Sequence, residues 1–77
     1  MAVTVYSTNS CPWCVKAKDF LKQNHVTFKE VNVAEDMKGL QEMEEKSGQR
    51  GVPVIDANGT IIVGFDRDGL KAALKIK

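Results

Sequence analysis

Cys11-Pro12-Trp13-Cys14 is the stretch whose residue types and spacing point most directly to chemistry. Thiol–disulfide exchange needs a thiolate, a second thiol within reach, and surroundings that expose only the first sulfur. Two cysteines separated by two residues meet those needs when the pair straddles the start of a helix. Pro12 indicates that it does, because proline is favoured at the first helical position, where its missing N–H would have no helical partner anyway. Cys11 is then the N-cap. Its sulfur lies near the unpaired backbone N–H groups of Trp13 and Cys14 and the positive end of the helix dipole, which favour the ionised sulfur. Cys11 is therefore the predicted attacking sulfur. Cys14, one turn inward, is the predicted resolving thiol. It attacks the mixed disulfide formed on Cys11, and the partner leaves reduced.

Two other uses of the pair compete with this one. A structural disulfide across a four-residue ring stabilises by roughly 2 kcal/mol at best, before strain is subtracted. Small stapled domains also carry more cysteines, spaced further apart, than the two present here. A closed zinc site needs four protein ligands, and Cys11, Cys14 and His25 supply three. Redox chemistry is the better reading of a Cys-x-x-Cys set between a strand and a helix. His25 reads as an exposed helix-end residue, and Trp13 as a partly exposed apolar wall beside the cysteines.

The elements that must position this pair can be read from the surrounding pattern. Ala2-Val3-Thr4-Val5-Tyr6 is a predicted strand with no charge on either face, and Ser7–Ser10 a short polar loop. A helix from Pro12 to about Asn24 puts Cys14, Ala17, Phe20 and Leu21 on one face, with Lys16, Lys18, Asp19 and Lys22 mostly on the other. Asn24 and His25 close it, Asn24 being suited to the left-handed conformation of a helix end. Thr27–Val33 is a second strand. A second helix over about Met37–Lys46 is capped by Asp36 and stopped by Ser47-Gly48, with Met37 and Met43 expected in the core. Val52–Ile55 and Thr60–Val63 are two apolar runs joined by Asp56-Ala57-Asn58-Gly59, a hairpin signal. Asp66 or Asp68 caps a last helix with Leu70, Ala73 and Leu74 on one side and Lys71, Lys75 and Lys77 near its negative end. The order is β-α-β-α-β-β-α. This is an α/β chain whose first two strands are parallel and last two antiparallel, in a four-stranded mixed sheet flanked by three helices.

The whole chain bounds what such a site can serve. Seventy-seven residues make one domain with a small core. A net charge of +1 gives no reason to expect nucleic acid or an acidic membrane as a partner. No basic segment followed by a long apolar run marks the start, and no stretch approaches the ~20 apolar residues of a membrane span. The expected location is the cytoplasm, and nothing demands more than a monomer.

Over nearly its full length the chain resembles glutaredoxins and the glutaredoxin-like redoxins. Val5–Cys14 is similar to the family's active-site strand and loop, with Trp13 where tyrosine is commonest. Ser47-Gly48-Gln49-Arg50-Gly51-Val52-Pro53 is similar to its second motif. The resemblance implies a thioredoxin-like fold and a cis Val52–Pro53 bond facing the cysteines, with Pro12, Trp13 and Pro53 supporting the site. It implies that the Val52 backbone pairs with an extended substrate. It further implies that Arg50, Val52, Gly64, Phe65 and Asp66 contribute to binding substrate or glutathione, Arg50 as a carboxylate clamp.

The third motif departs from the family pattern. In Val63-Gly64-Phe65-Asp66-Arg67-Asp68, Val63 replaces a glycine and Arg67 stands where an acidic residue is usual; Thr8 replaces a basic residue before the first cysteine. A Gly-Phe step here is also similar to redoxins that supply ribonucleotide reductase and are reduced by thioredoxin reductase. The resemblance therefore implies disulfide-containing protein substrates, no metal and no tightly bound cofactor. Glutathione, as a cosubstrate, and thioredoxin reductase are the two candidate electron donors. Some glutaredoxins instead hold an iron–sulfur cluster between two subunits, but Pro12 and Trp13 make this motif stiff and crowded for that role.

Overall fold

A computed structural model describes residues 3–75. The chain runs β1 (Val3–Ser7), α1 (Pro12–Gln23), β2 (Lys29–Asn32), α2 (Met37–Ser47), β3 (Val54–Ala57), β4 (Thr60–Val63) and α3 (Arg67–Leu74). The strands form one sheet in the order β2-β1-β3-β4. β1 pairs parallel with β2, Tyr6 opposite Val31, and antiparallel with β3, Val5 opposite Ile55; β3 and β4 are antiparallel, Ile55 opposite Ile62. The predicted thioredoxin-like α/β arrangement is therefore present. Ala2, placed in the first strand by the sequence, and Lys77, placed at the last helix end, lie outside the described residues.

Side chains alternate across a strand, so each strand feeds two layers. Val3, Val5, Ile55, Ala57 and Ile62 pack with Ala17, Phe20 and Leu21 of α1 and Leu70 and Leu74 of α3. Tyr6, Val33 and Val54 pack with Met43 of α2 on the other face. Asn58 and Gly59 both have positive φ, 53° and 99°, as the two-residue turn joining β3 to β4 requires. Gly39 lies in α2 where the helix meets the sheet, and a Cβ there would run into Val31. The missing side chain is what lets α2 sit so close to β2.

Three local readings need correction. Met37 is 71% exposed. It stands six residues before Met43, so at 100° per residue it points about 120° away from the buried line. Gly39 and Met43 make that line. At the end of α1 the left-handed residue is His25, φ 59°, whereas Asn24 caps through its side chain, Nδ2 donating to the Phe20 carbonyl at 2.8 Å. The second strand is shorter than Thr27–Val33, since only Lys29–Asn32 pairs with β1.

Candidate active site

Pro12 opens α1 and Cys11 is its N-cap, with extended backbone angles of φ −103° and ψ 107°. The Cys14 N–H donates to Cys11 Sγ at 3.2 Å. The Cys11 thiol also faces the Val52 carbonyl at 3.8 Å, across 41 residues of sequence. Cys11 is partly exposed and Cys14 buried, and both are free thiols. The structure thus opens one sulfur to the surface and covers the other.

Burial pushes the Cys14 thiol up to about 11, and its hydrogen bond with Cys11 pushes the same way; the Thr8 backbone and the Lys18 charge pull it down. Removing water from a group disfavours its charged form, so Cys14 is held protonated at neutral pH.

Opposite the cysteines, the Val52–Pro53 bond is cis. The loop that delivers it is organised by Gln49. Its side chain takes the Gly51 N–H and donates to the Gly51 carbonyl at 3.0 Å, while Ser47 Oγ bridges the carbonyls of Met43 and Gln49. Beyond β4, the Gly64 N–H donates to the Pro53 carbonyl at 2.8 Å with φ at 81°, a conformation that favours glycine. Phe65 follows. Its ring meets Phe20 of the core edge-on at 6.0 Å and Trp13 at 6.5 Å, so one aromatic row runs from the interior to the rim.

Trp13, Val52, Pro53, Gly64 and Phe65 line a groove of roughly 290 Å³. Trp13 is 55% exposed, with the Lys16 ammonium 4.4 Å over its ring. Two residues expected at this surface do not line the groove. Arg50 extends outward and pairs with Glu44 at 3.1 Å. Asp66 is the N-cap of α3, Oδ1 accepting from the Gly69 N–H at 3.0 Å. His25 stands at the far end of α1 from Cys11, about 18 Å for twelve residues. Among the described residues no group of three or more His, Cys, Asp or Glu side chains could hold a metal ion.

Sequence reasoning missed several supports. Gln49 and Ser47 lie inside the second motif but carry no chemical signal of their own. Asn32 Nδ2 donates to Asn9 Oδ1 at 2.9 Å, tying the loop before Cys11 to the end of β2. An Asn pair 23 residues apart cannot be seen before the strands are registered.

Known proteins place this geometry. A crystal structure of a mutant of the thioredoxin-like protein BC3987 superposes with a TM-score of 0.92 at 29% identity, covering 97% of this chain and 96% of that one. The chain is 52% identical over 65 residues to a glutaredoxin-like 8.6 kDa protein in the rubredoxin operon of Clostridium pasteurianum, spanning 84% of this chain and 87% of the relative. It is 35% identical over 63 residues to the glutaredoxin-like protein NrdH of Lactococcus lactis, spanning 82% and 86%. The profile of the glutaredoxin family matches residues 3–62, so this chain, with its Cys-Pro-Trp-Cys helix start, belongs to the glutaredoxin family.

Proposed function

We propose that Cys11 is the attacking sulfur and Cys14 the resolving thiol of this thiol–disulfide oxidoreductase, and that it reduces protein disulfides. The observation that carries the assignment is the asymmetry of the pair: Cys11 at the helix N-cap and partly exposed, Cys14 buried with its thiol pushed up to about 11. Cys11 displaces one sulfur of the substrate disulfide and becomes joined to the other. Cys14 then attacks Cys11, the second substrate sulfur leaves, and the Cys11–Cys14 disulfide remains. The Val52 backbone edges the groove beside Cys11 and suits an extended substrate segment adding a short β-pairing. Trp13, Pro53, Gly64 and Phe65 shape the apolar wall against which that segment rests. A reducing compartment, the cytoplasm, suits this reaction.

For the electron donor, thioredoxin reductase is the reading we favour over glutathione. Arg50 is engaged with Glu44, one Asp66 oxygen is engaged with Gly69, and Thr8 and Arg67 depart from the usual glutathione-facing residues. Oxidised protein mixed with thioredoxin reductase and NADPH is expected to regain its thiols faster than with glutathione alone. Rapid reduction by glutathione alone would sink the donor assignment. Retention of protein-disulfide reductase activity in Cys11→Ser would sink the nucleophile assignment.

A further inference from the structure

The Val52 backbone must be aimed before it can pair with a substrate strand, and its loop does little to aim itself. Residues 49–52 lie between the end of α2 and the start of β3. Among the described residues, the backbone-to-backbone hydrogen bonds of turns and loops hold Gly48 and Pro53 on either side of this segment and none of the four residues within it. The Gln49 side chain fills that gap. Its Oε1 accepts the Gly51 N–H, and its Nε2 donates to the Gly51 carbonyl at 3.0 Å and to Ser47 Oγ at 3.3 Å. The amide thus uses its acceptor and both donor hydrogens. Ser47, the last residue of α2, is anchored in turn, Oγ donating to the Met43 carbonyl at 2.6 Å. Gly51 is therefore gripped at its N–H and its carbonyl, and the grip is tied to a helix packed on the sheet through Met43.

The Gly51 carbonyl and the Val52 N–H belong to one planar peptide unit, which is trans, so they point in opposite directions. Holding the carbonyl toward Gln49 holds the Val52 N–H away from it. Among the described residues no backbone acceptor takes that N–H, while Val52 itself is half-buried and lines the groove. A backbone donor left open at such a place suits a carbonyl of an extended segment.

We propose that Gln49 is a positioning residue that makes the site selective for disulfides carried on extended polypeptide over small disulfides, by fixing the direction of the Val52 N–H. This rests on the pairing of a substrate segment with the Val52 backbone proposed above. Gly51 belongs to the same device. A Cβ there would stand 2.6 Å from Gln49 Oε1, the movable end of a side chain, and the next atom, Gln49 Cδ, is 3.7 Å away. Gly51 does not have a positive φ, so its backbone accepts alanine while the added methyl evicts the Gln49 amide. None of the Gln49 hydrogen bonds reaches Cys11 or Cys14, so the sulfur chemistry is left to the pair.

Two symmetrical disulfides test this: a decapeptide dimer joined through one central cysteine, and hydroxyethyl disulfide, which has no peptide groups. Reduced full-length protein is mixed with an excess of each, and loss of its thiols is followed after acid quenching. For Gln49→Ala, the peptide concentration giving half the limiting rate is expected to rise about three- to tenfold, the scale of one lost hydrogen bond. The limiting rate and the rate with hydroxyethyl disulfide are expected to change less than twofold. Gly51→Ala is expected to do the same, and the double variant to be no worse than either single one, because both remove one contact. Gln49→Glu keeps the acceptor but turns a carboxylate oxygen toward the Gly51 carbonyl, and is expected to match Gln49→Ala. Should Gln49→Ala fail to fold, Gly51→Ala and Gln49→Glu carry the same test. Half-saturation that stays at the wild-type value, an equal fall with both disulfides, or losses that add in the double variant overturn the role of Gln49. Failure of the Val52 pairing reads differently: wild type itself would then reduce the peptide disulfide no more readily than hydroxyethyl disulfide, and the selectivity would fall with it.

Discussion

The start of α1 and the flank of α2 each gather titratable groups, and they treat them in opposite ways. At α1, Cys11 Sγ has one amide at 3.2 Å and one carbonyl at 3.8 Å, and Cys14 is kept protonated by burial. At α2, Lys46 Nζ donates to Asp56 Oδ2 at 2.8 Å and to the Tyr6 hydroxyl at 2.9 Å, and that hydroxyl donates to Glu42 at 3.4 Å. Asp56 also accepts the Gly59 N–H at 2.8 Å. The hydrogen bonds to Asp56 and Tyr6 push the Lys46 ammonium upward, and the same Lys46 contact pulls Asp56 downward. In the α2 cluster each charged group already has a hydrogen-bond partner within the chain. In the α1 pair the reactive sulfur is left under-partnered and close to the surface. A closed network resists change of state, while an open one leaves a group for a substrate to complete.

The largest test of this contrast is Cys11→Ser. We expect protein-disulfide reduction to fall on the order of 10³-fold or more, because the attacking group itself is gone. The urea midpoint should hardly move, within about 0.5 kcal/mol, since Cys11 adds little packing. Activity within tenfold of wild type would mean that the open pair is not where the chemistry occurs.

A second test uses the pH dependence of stability. An unfolded Cys14 thiol ionises near its ordinary value of 9.0, and the folded one at about 11. Between those values the unfolded chain sheds a proton that the folded chain keeps. The contribution is therefore complete below about pH 9, is lost as pH rises toward 11, and is flat beyond, with a span on the order of 2–3 kcal/mol. Reduced wild type should lose urea stability across that window relative to Cys14→Ser. Parallel curves would show that Cys14 is not held protonated by the fold.

Gly39→Ala comes next, on the α2 side. Helix propensity alone favours alanine over glycine by about 1 kcal/mol. The Cβ would meet Val31, so the substitution should instead destabilise by about 1–3 kcal/mol, read as a lowered urea midpoint with reductase activity per folded molecule unchanged.

Gly39 also marks where sequence reading stops. The helix spacing of Cys14, Ala17, Phe20 and Leu21 forecast a buried face because period and packing agree there, and all four are buried. Pro12 and Asp36 announced helix starts through local backbone chemistry, and both stand where expected. Met37 misled because an apolar residue in the first turn of a helix need not face the sheet. The Trp13–Phe65 wall depends on two residues 52 positions apart meeting across the groove, and the resemblance, rather than any local pattern, pointed to Phe65. Arg50 shows the converse: its type suits a carboxylate clamp, but the carboxylate it meets is Glu44, one turn before the end of its neighbouring helix.

The smallest effect is expected from opening the α2 cluster. Lys46→Met keeps the aliphatic stem beside the Tyr6 ring and removes the charge. The Lys46 side chain is 38% exposed, so solvent screening limits the loss to about 0.5–1 kcal/mol. Its pH signature separates this cluster from the cysteines. A carboxylate pulled below its ordinary range stabilises above the unfolded value of about 4 and loses that contribution as pH falls through the lower folded value. An ammonium pushed upward stabilises below its unfolded value of about 10.4 and loses that contribution as pH rises further. The difference in urea stability between wild type and Lys46→Met should therefore be level through neutral pH and shrink at both extremes. Reductase turnover should stay within twofold, because the cluster lines no part of the Trp13–Phe65 groove. A turnover that fell along with the ion pair would mean that the closed network feeds the open one through Tyr6, whose strand leads straight into the Cys11 loop.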